Sequence, residues 1–421
     1  MRRPPRSGAK PCKRKLRSQS KFPRRTPAQA AATHAPDSNA YGNEYFGKED
    51  GVFDQRLRDL RQQLRVRDID CLALVPGFNL QYLTGENFFL LERPFIAFIP
   101  ADEDADWIIM IPELEAPAWE RTVPFKATLF PWTDENGPDD AMRQAAEKLA
   151  GISTLGVEYL RMRVLEQNLI SCFLPDVRIA MGEAVLDPVR MHKDSAEIGS
   201  LRRAVQVLET ALEDVVSSVR PGMIEREICN RLTSAVLQSG GEMVPLEPLV
   251  QSGPNAALPH GRTEERRVEA GDMLLIDFTT TVGGYYADMT RTFVVGKQPD
   301  ERLHDVYAAV QAANRAGREA VRPGATCQDV DRAARKPIID AGFGEYFIHR
   351  TGHGLGLDVH EAPGIVEGNE TILEEDMVFT IEPGVYIDGW GGVRIEDNVL
   401  VTSDGHESLT TFDRSLRIIG A

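Results

Sequence analysis

The chain has 421 residues, with 48 Lys and Arg against 64 Asp and Glu and a formal net charge of −16. Its length points to two or three domains at ~100–200 residues each, and no apolar run approaches the ~18–20 residues that cross a bilayer, which speaks against a membrane protein. Eleven of the basic residues fall in the first 36 positions, which hold no Asp or Glu; the acidic body that remains argues against nucleic acid as its partner.

Residues 1–45 are rich in Arg, Lys, Pro, Ser and Ala and lack any apolar period. They are expected to be a disordered tail or the product of a start codon placed too far upstream, with a transit peptide or a polyanion-binding arm as alternatives. Five scattered cysteines, Cys12, Cys71, Cys172, Cys229 and Cys327, form no CxxC pair. Neither a disulfide framework nor a thiolate metal site is indicated, and the cytoplasm is the expected compartment.

From Phe53 the pattern becomes regular. Phe53, Leu57, Leu60 and Leu64 have helical spacing, and strand-like runs follow at 71–75, 95–99, 107–111 and 155–159. Helices are expected near 113–121 and 139–149. The alternation predicts an α/β domain over residues 46–188. It holds no convincing catalytic cluster, so a structural or substrate-gating role is expected, with Tyr82 to Gly85 reading as a strand exit and turn.

Residues 189–421 form the second expected domain. A long helix starts at Asp194, whose spacing to Glu197 fits a capping box, and stops at the sequence VRPG, residues 219–222. A second helix follows. The same VRPG recurs at 321–324, again between two helices, which predicts an internal repeat. Each copy then leads to strands that carry a pair of carboxylates.

In the first copy, Gly283 and Gly284 sit between apolar and β-branched runs, a strong hairpin signal. A two-residue turn there sets Thr279 opposite Asp288 and Phe278 opposite Met289, so Asp277, Thr279, Asp288 and Thr290 share one face. In the second copy, residues 377–387 and 393–402 form a hairpin through residues 388–392. A turn centred on Gly389 places Glu382 opposite Glu396, with Cβ atoms only ~4.5–5.5 Å apart. Carboxylates this close in apolar surroundings resist ionisation unless a cation joins them.

Between the hairpins, the sequence IHRTGHGLGLDVHEAP carries His349, His353 and His360, and His260 lies upstream. Taken singly, each fits a hydrogen-bonded core histidine. Four carboxylates balance two divalent cations, with neutral His353 completing the ligand set, and a pair of ions can share a water and present hydroxide to an electrophile. Oxygen-rich ligation with one imidazole suits Mn²⁺, Co²⁺, Fe²⁺ or Zn²⁺, and Mg²⁺ less well.

The segments SGPNAALPHGR, DMTRTF, TGHGLGLDVHEAP, FTIEPGVY and GGVRIEDNVLV resemble the pita-bread metallopeptidase family, which includes prolidases, aminopeptidase P, methionine aminopeptidases and creatinase. The resemblance spans residues 53–421 and points to the Xaa-Pro peptidase branch. It implies an α+β protein, with a C-terminal pita-bread domain built on an internal pseudo-twofold repeat and preceded by a smaller α/β creatinase-like domain. The implied ligands are Asp277, Asp288, His353, Glu382 and Glu396, with Asp288 and Glu396 bridging two divalent ions, Mn²⁺ first among them.

By the same resemblance, Glu382 would also shuttle a proton, and His260 and His360 would contact substrate. Arg394 would hold Glu396 or the substrate carboxylate, with His349 and Thr290 as supports behind the ligands. The implied reaction is hydrolysis of Xaa-Pro peptides, as a dipeptidase or an aminopeptidase, by a homodimer. Thr279 departs from the family, which commonly has Gly there. Hydrolysis of another small C–N substrate (creatine- or ectoine-like) and a non-enzymatic binding role are the alternatives. Between His360 and Glu382 there is no arginine to clamp a dipeptide carboxylate, which leaves substrate length open.

Overall fold

The structure, a computed structural model, describes residues 51–242 and 244–421; the basic segment expected to be a tail lies outside them. The described part opens with α1 (Val52–Val66), which buries Leu57, Leu60 and Leu64 at helical spacing. Then follow β1 (Cys71–Leu74), α2 (Phe78–Thr84), β2 (Ile96–Pro100), β3 (Trp107–Pro112), α3 (Ala116–Thr122), β4 (Ala127–Trp132), α4 (Asp139–Lys148), β5 (Thr154–Val157), α5 (Val164–Phe173), β6 (Arg178–Met181) and α6 (Glu183–Arg190). The strands make one sheet in the order β4-β3-β2-β1-β5-β6. It is mixed: β2 runs antiparallel to both its neighbours, while the other pairs are parallel.

The turn expected at Tyr82 to Gly85 is instead the end of α2. Leu80 and Leu83 face the core, and Gly85 closes the helix with φ 76°, a conformation open to glycine. The short apolar run is ambiguous between strand and helix by period alone. Pro188, where the first domain was expected to end, lies inside α6.

The second region begins with α7 (Ser195–Ser218), capped as expected: Asp194 Oδ1 accepts from Glu197 N at 2.8 Å and Glu197 Oε2 from Asp194 N at 2.8 Å. Next come α8 (Glu225–Gln238), β7 (Leu249–Ser252), β8 (Met273–Val282), β9 (Tyr285–Val295), α9 (Glu301–Ala320), α10 (Cys327–Asp340), β10 (Gly352–Gly354), β11 (Glu361–Ile365), β12 (Val378–Ile381), β13 (Gly384–Ile387), β14 (Gly391–Arg394), β15 (Asp397–Thr402), β16 (Gly405–Ser408) and β17 (Ile418–Ile419). One sheet has the order β17-β9-β8-β7, a second β11-β10-β12-β15-β16, and β13 pairs with β14 alone.

The repeat extends to individual backbone bonds. After the first VRPG, Gly222 N donates to Val268 O, Val268 N to Met223 O, and Ile224 bridges Arg267. After the second, Gly324 N donates to Leu373 O, Leu373 N to Ala325 O, and Thr326 bridges Ile372. Helix, tight turn and helix are thus followed by the same return strand in both halves.

The first hairpin has the expected register, with Phe278 opposite Met289 and Thr279 opposite Asp288. The second differs from a continuous pair of strands. Its ladder breaks at Pro383, which has no N–H to donate, so β12 pairs with β15 and β13 with β14 in separate sheets. Ile381 faces Asp397 on one side of the break and Gly384 faces Arg394 on the other. The count is unbroken, so Glu382 falls opposite Glu396 as the spacing predicts.

Apolar residues of α1 and of β1 to β3 pack in one cluster with those of α7, α8, β8 and β9. A separate cluster fills the other face of the six-stranded sheet against α4 and α5. The second repeat packs its strands on α9 and α10.

Candidate metal centre

The two hairpins meet mostly through side-chain-to-backbone bonds in place of a shared ladder. Asn398 Nδ2 donates to Asp288 O at 2.6 Å, and its Oδ1 accepts from Asp288 N at 3.2 Å. Thr292 Oγ1 lies 3.0 Å from Arg394 O and 3.2 Å from Arg394 N. Glu396 N donates to Thr290 O at 3.1 Å. These contacts fix the backbones of Asp288 and Glu396, one ligand candidate from each hairpin.

His353 comes from β10, an inner strand between β11 and β12. A side chain at Gly352 would lie 1.8 Å from Thr380 O and one at Gly354 2.2 Å from Ala362 O, so only glycine lets this strand sit so close to its neighbours. Nδ1 of His353 lies 3.1 Å from Gly354 O. A carbonyl can only accept, so the ring hydrogen is on Nδ1 and the Nε2 lone pair is free. Nε2 faces Glu382 Oε1 at 3.3 Å and Asp288 Oδ2 at 3.9 Å. Burial, then the charges of His360 and Arg350, push its pKa well down. A neutral imidazole aimed at two carboxylates is a metal ligand in form.

Ligand atoms of Asp288, His353 and Glu396 all lie within 4.8 Å of one another, and all three residues are buried. Asp288 Oδ1 and Glu396 Oε1 are buried without a hydrogen-bond partner, a costly state for a carboxylate oxygen that nothing else occupies. Burial first, and then neighbouring carboxylates, push both carboxyls well above the usual range. Glu382 is also raised, by burial and by Asp277, against the pull of Arg394 and Arg350. Arg394 offsets only one of the four carboxylate charges. The cluster therefore fits a bound cation.

Asp277 stands at the edge of this group with its side chain 20 % exposed, paired to Arg394 Nη2. Thr290 donates from Oγ1 to Glu396 Oε2 at 2.6 Å and accepts from Arg394 Nε at 3.1 Å. Arg394 Nη1 also donates to Tyr386 OH at 2.6 Å, and Tyr386 lies 3.0 Å from His349 Nε2. His349 Nδ1 is 2.7 Å from Arg350 O, so its hydrogen is there and Nε2 accepts from the tyrosine. Burial pushes the His349 pKa down to about 4, which keeps the ring neutral.

His360 is exposed, with its ring edge-on to His353 at 4.1 Å between centroids. His260 is exposed too, and its charge bears on both His349 and His360. Thr279 lies on the Asp288 side with its hydroxyl buried and unpartnered. Sequence reasoning missed four residues here. Tyr386 and Asn398 lay inside the segments FTIEPGVY and GGVRIEDNVLV, but nothing in their spacing revealed a role. Arg350 directly follows His349, and its charge reaches His353, His360 and Glu382. Glu361, one residue past His360, is buried between Arg190 and Lys193.

Residues 199–403 match the model of metallopeptidase family M24, and residues 56–192 that of the creatinase/prolidase N-terminal domain. The Xaa-Pro dipeptidase of Pyrococcus furiosus is 32% identical over 365 residues, covering 86% of this chain and 99% of that protein. Among solved structures, a prolidase from Thermococcus sibiricus superposes with a TM-score of 0.82 at 33% identity, covering 87% of this chain and 99% of the other. The dipeptidase PepE of Mycobacterium ulcerans gives a TM-score of 0.81 at 34% identity, covering 88% and 98%.

Proposed function

The chain belongs to metallopeptidase family M24, in its prolidase and aminopeptidase P branch, and from that premise we propose the reaction its site performs. It is a metal-dependent hydrolase of Xaa-Pro peptide bonds. The observation that carries this reading is the convergence of Asp288, His353 and Glu396 with two orphaned carboxylate oxygens between them.

Asp277, Asp288, His353, Glu382 and Glu396 would hold two divalent ions, with Mn²⁺ the first choice over Co²⁺, Fe²⁺ or Zn²⁺. When bound, the ions supply Lewis acidity and a water of lowered pKa. The remaining work falls to side chains. Glu382, whose carboxyl is raised by burial, takes a proton from the attacking water and returns it to the proline nitrogen. Like any amide nitrogen it must gain a proton to leave as an amine, and Glu382 is the donor.

His260 and His360, exposed at the rim, contact the scissile carbonyl. Arg394 pairs with Asp277 and, through Thr290, orients Glu396. The substrate is a peptide with proline at its second position, and the enzyme is read as a homodimer. The four described cysteines, Cys71, Cys172, Cys229 and Cys327, are unpaired, which fits a cytoplasmic setting. No helix among the described residues is long and apolar enough to cross a membrane.

Incubation with Mn²⁺ and mass-spectrometric analysis of Ala-Pro and Gly-Pro-Pro-type peptides tests the proposal. Release of proline or of the N-terminal residue is expected. No turnover of any of them would sink it, and the ratio between the two substrates separates dipeptidase from aminopeptidase.

A further inference from the structure

His360 lies in the short segment between β10 and β11, with one side of its ring against His353. The groups that hold this segment in place come from the other half of the molecule. Asp358 Oδ2 lies 3.3 Å from Arg161 Nη2, and that guanidinium sits 4.5 Å over the ring of Phe78. Glu361, the next residue after His360, has a side chain only 7 % exposed; Lys193 Nζ reaches its Oε1 at 2.8 Å and Arg190 Nη2 bonds its Oε2.

From Arg190 the contacts run on into the six-stranded sheet. Arg190 Nη1 donates to Asn79 Oδ1 at 2.7 Å, and Asn79 Nδ2 donates to Glu158 Oε1 at 2.7 Å. Glu158 Oε2 accepts from Val75 N at 2.7 Å, just past the end of β1. A buried relay thus joins the first sheet to the neighbour of His360. Burial alone would raise the Glu361 pKa, yet Arg190 and Lys193 outweigh it and hold the carboxyl below its usual range.

The segment leaves this carboxylate little freedom. A side chain at Gly356 would lie 2.6 Å from Glu361 Oε1, so the loop backbone and the carboxylate are packed as one body. Tyr286 N, from β9, donates to Gly356 O at 2.8 Å and ties that body to the first hairpin. A buried ion pair contributes little net adhesion compared with an apolar contact of the same size. What two cations on one buried carboxylate do provide is a fixed position.

We propose that Arg190 and Lys193 are positioning residues for the reaction: through Glu361 they fix His360 against the metal ligands, so the segment joining the two domains takes part in hydrolysis. The inference rests on the reading of His360 as a substrate contact. A ring that serves the transition state and is loosened loses kcat more than it alters KM. A tie that serves only stability would change the unfolding temperature and leave kcat alone.

The test is a double-mutant cycle on Ala-Pro hydrolysis, with metal content and Tm measured on every variant. Glu361→Gln and Lys193→Met are each expected to lower kcat about 10–100-fold, the usual range for a residue acting through another, with metal content unchanged. In a His360→Ala background the same substitutions should change kcat less than about twofold, because the group they position is gone. Lys193→Arg, which keeps the charge, should restore most of the rate. If Glu361→Gln does not fold, the Lys193→Met and Lys193→Arg pair carries the same comparison. Equal losses with and without His360, or a lower Tm with kcat intact, would overturn the clamp. Full activity of His360→Ala would overturn the assignment of His360 itself, and no activity in the wild type would overturn the proposed reaction.

Discussion

Glu396 is under two opposed demands. Without ions its buried Oε1 has no partner and its charge faces those of Asp288, Glu382 and Asp277. With ions it becomes a source of stability. Glu396→Gln should therefore stabilise the chelated protein, by about 1.4 kcal/mol for each pKa unit of upward shift that it removes. The same variant should lose activity and the Tm gain that added Mn²⁺ gives the wild type, roughly 2.7 kcal/mol per site at a hundredfold excess over Kd. Thermal unfolding with and without Mn²⁺ checks both signs; a less stable chelated variant would contradict the like-charge account. The carboxylates and His353 were legible in the sequence because hairpin register and charge are local properties. Tyr386 was not, since its hydroxyl matters only where Arg394 and His349 approach it from different segments.

Among the elements, β15 carries a buried carboxylate that draws side chains from several others. Asp397 is fully buried and meets Arg291 at 2.7 Å, Arg414 at 2.7 Å and Arg318 at 3.4 Å, while Asn314 donates to it at 2.9 Å. These partners come from β9, from α9 and from the segment after β16. Burial would raise its pKa, but Arg291 and Arg414 hold it below the usual carboxylate range. A depressed folded pKa stabilises above the unfolded value and loses that contribution as pH falls through the folded one.

Asp397→Asn should thus cost about 3–5 kcal/mol near neutrality by stranding buried guanidinium groups. It should also flatten the wild type's loss of stability as the pH falls below the ordinary carboxylate range. Urea unfolding across pH reads both effects. The sequence showed strands here by their apolar runs, and it placed Glu382 opposite Glu396. It did not show the interruption at Pro383, because a proline in a hairpin strand is compatible with an edge, a bulge or a break until the neighbouring sheets are known.

On the scale of the whole molecule, the repeat was visible in four letters, VRPG, and in the carboxylates that follow each copy. The return bonds at Val268 and Leu373 give it a structural basis. The role of the first region was less legible. No catalytic cluster stands out in it, and the relay from Val75 to Glu361 joins residues far apart in the chain, none of which is unusual where it stands. Residues 1–45, the basic segment, lie outside the described residues. Their removal should leave kcat/KM on Ala-Pro unchanged, as steady-state kinetics of the shortened chain would show; a fall of more than about threefold would require a role for them.

The seam between the hairpins also governs timing during synthesis. Arg291, in β9, donates to Phe412 O and to Asp413 O, Asn398 leans on Thr410, and β17 at 418–419 completes the sheet beside β9. Asp277 and Asp288 are made more than a hundred residues before these partners. A growing chain that has emerged only as far as the first hairpin carries half of a highly charged site with nothing to oppose it. Residues 410–419 close the seam, so the carboxylates of the first hairpin gain this support only once that segment has joined β9.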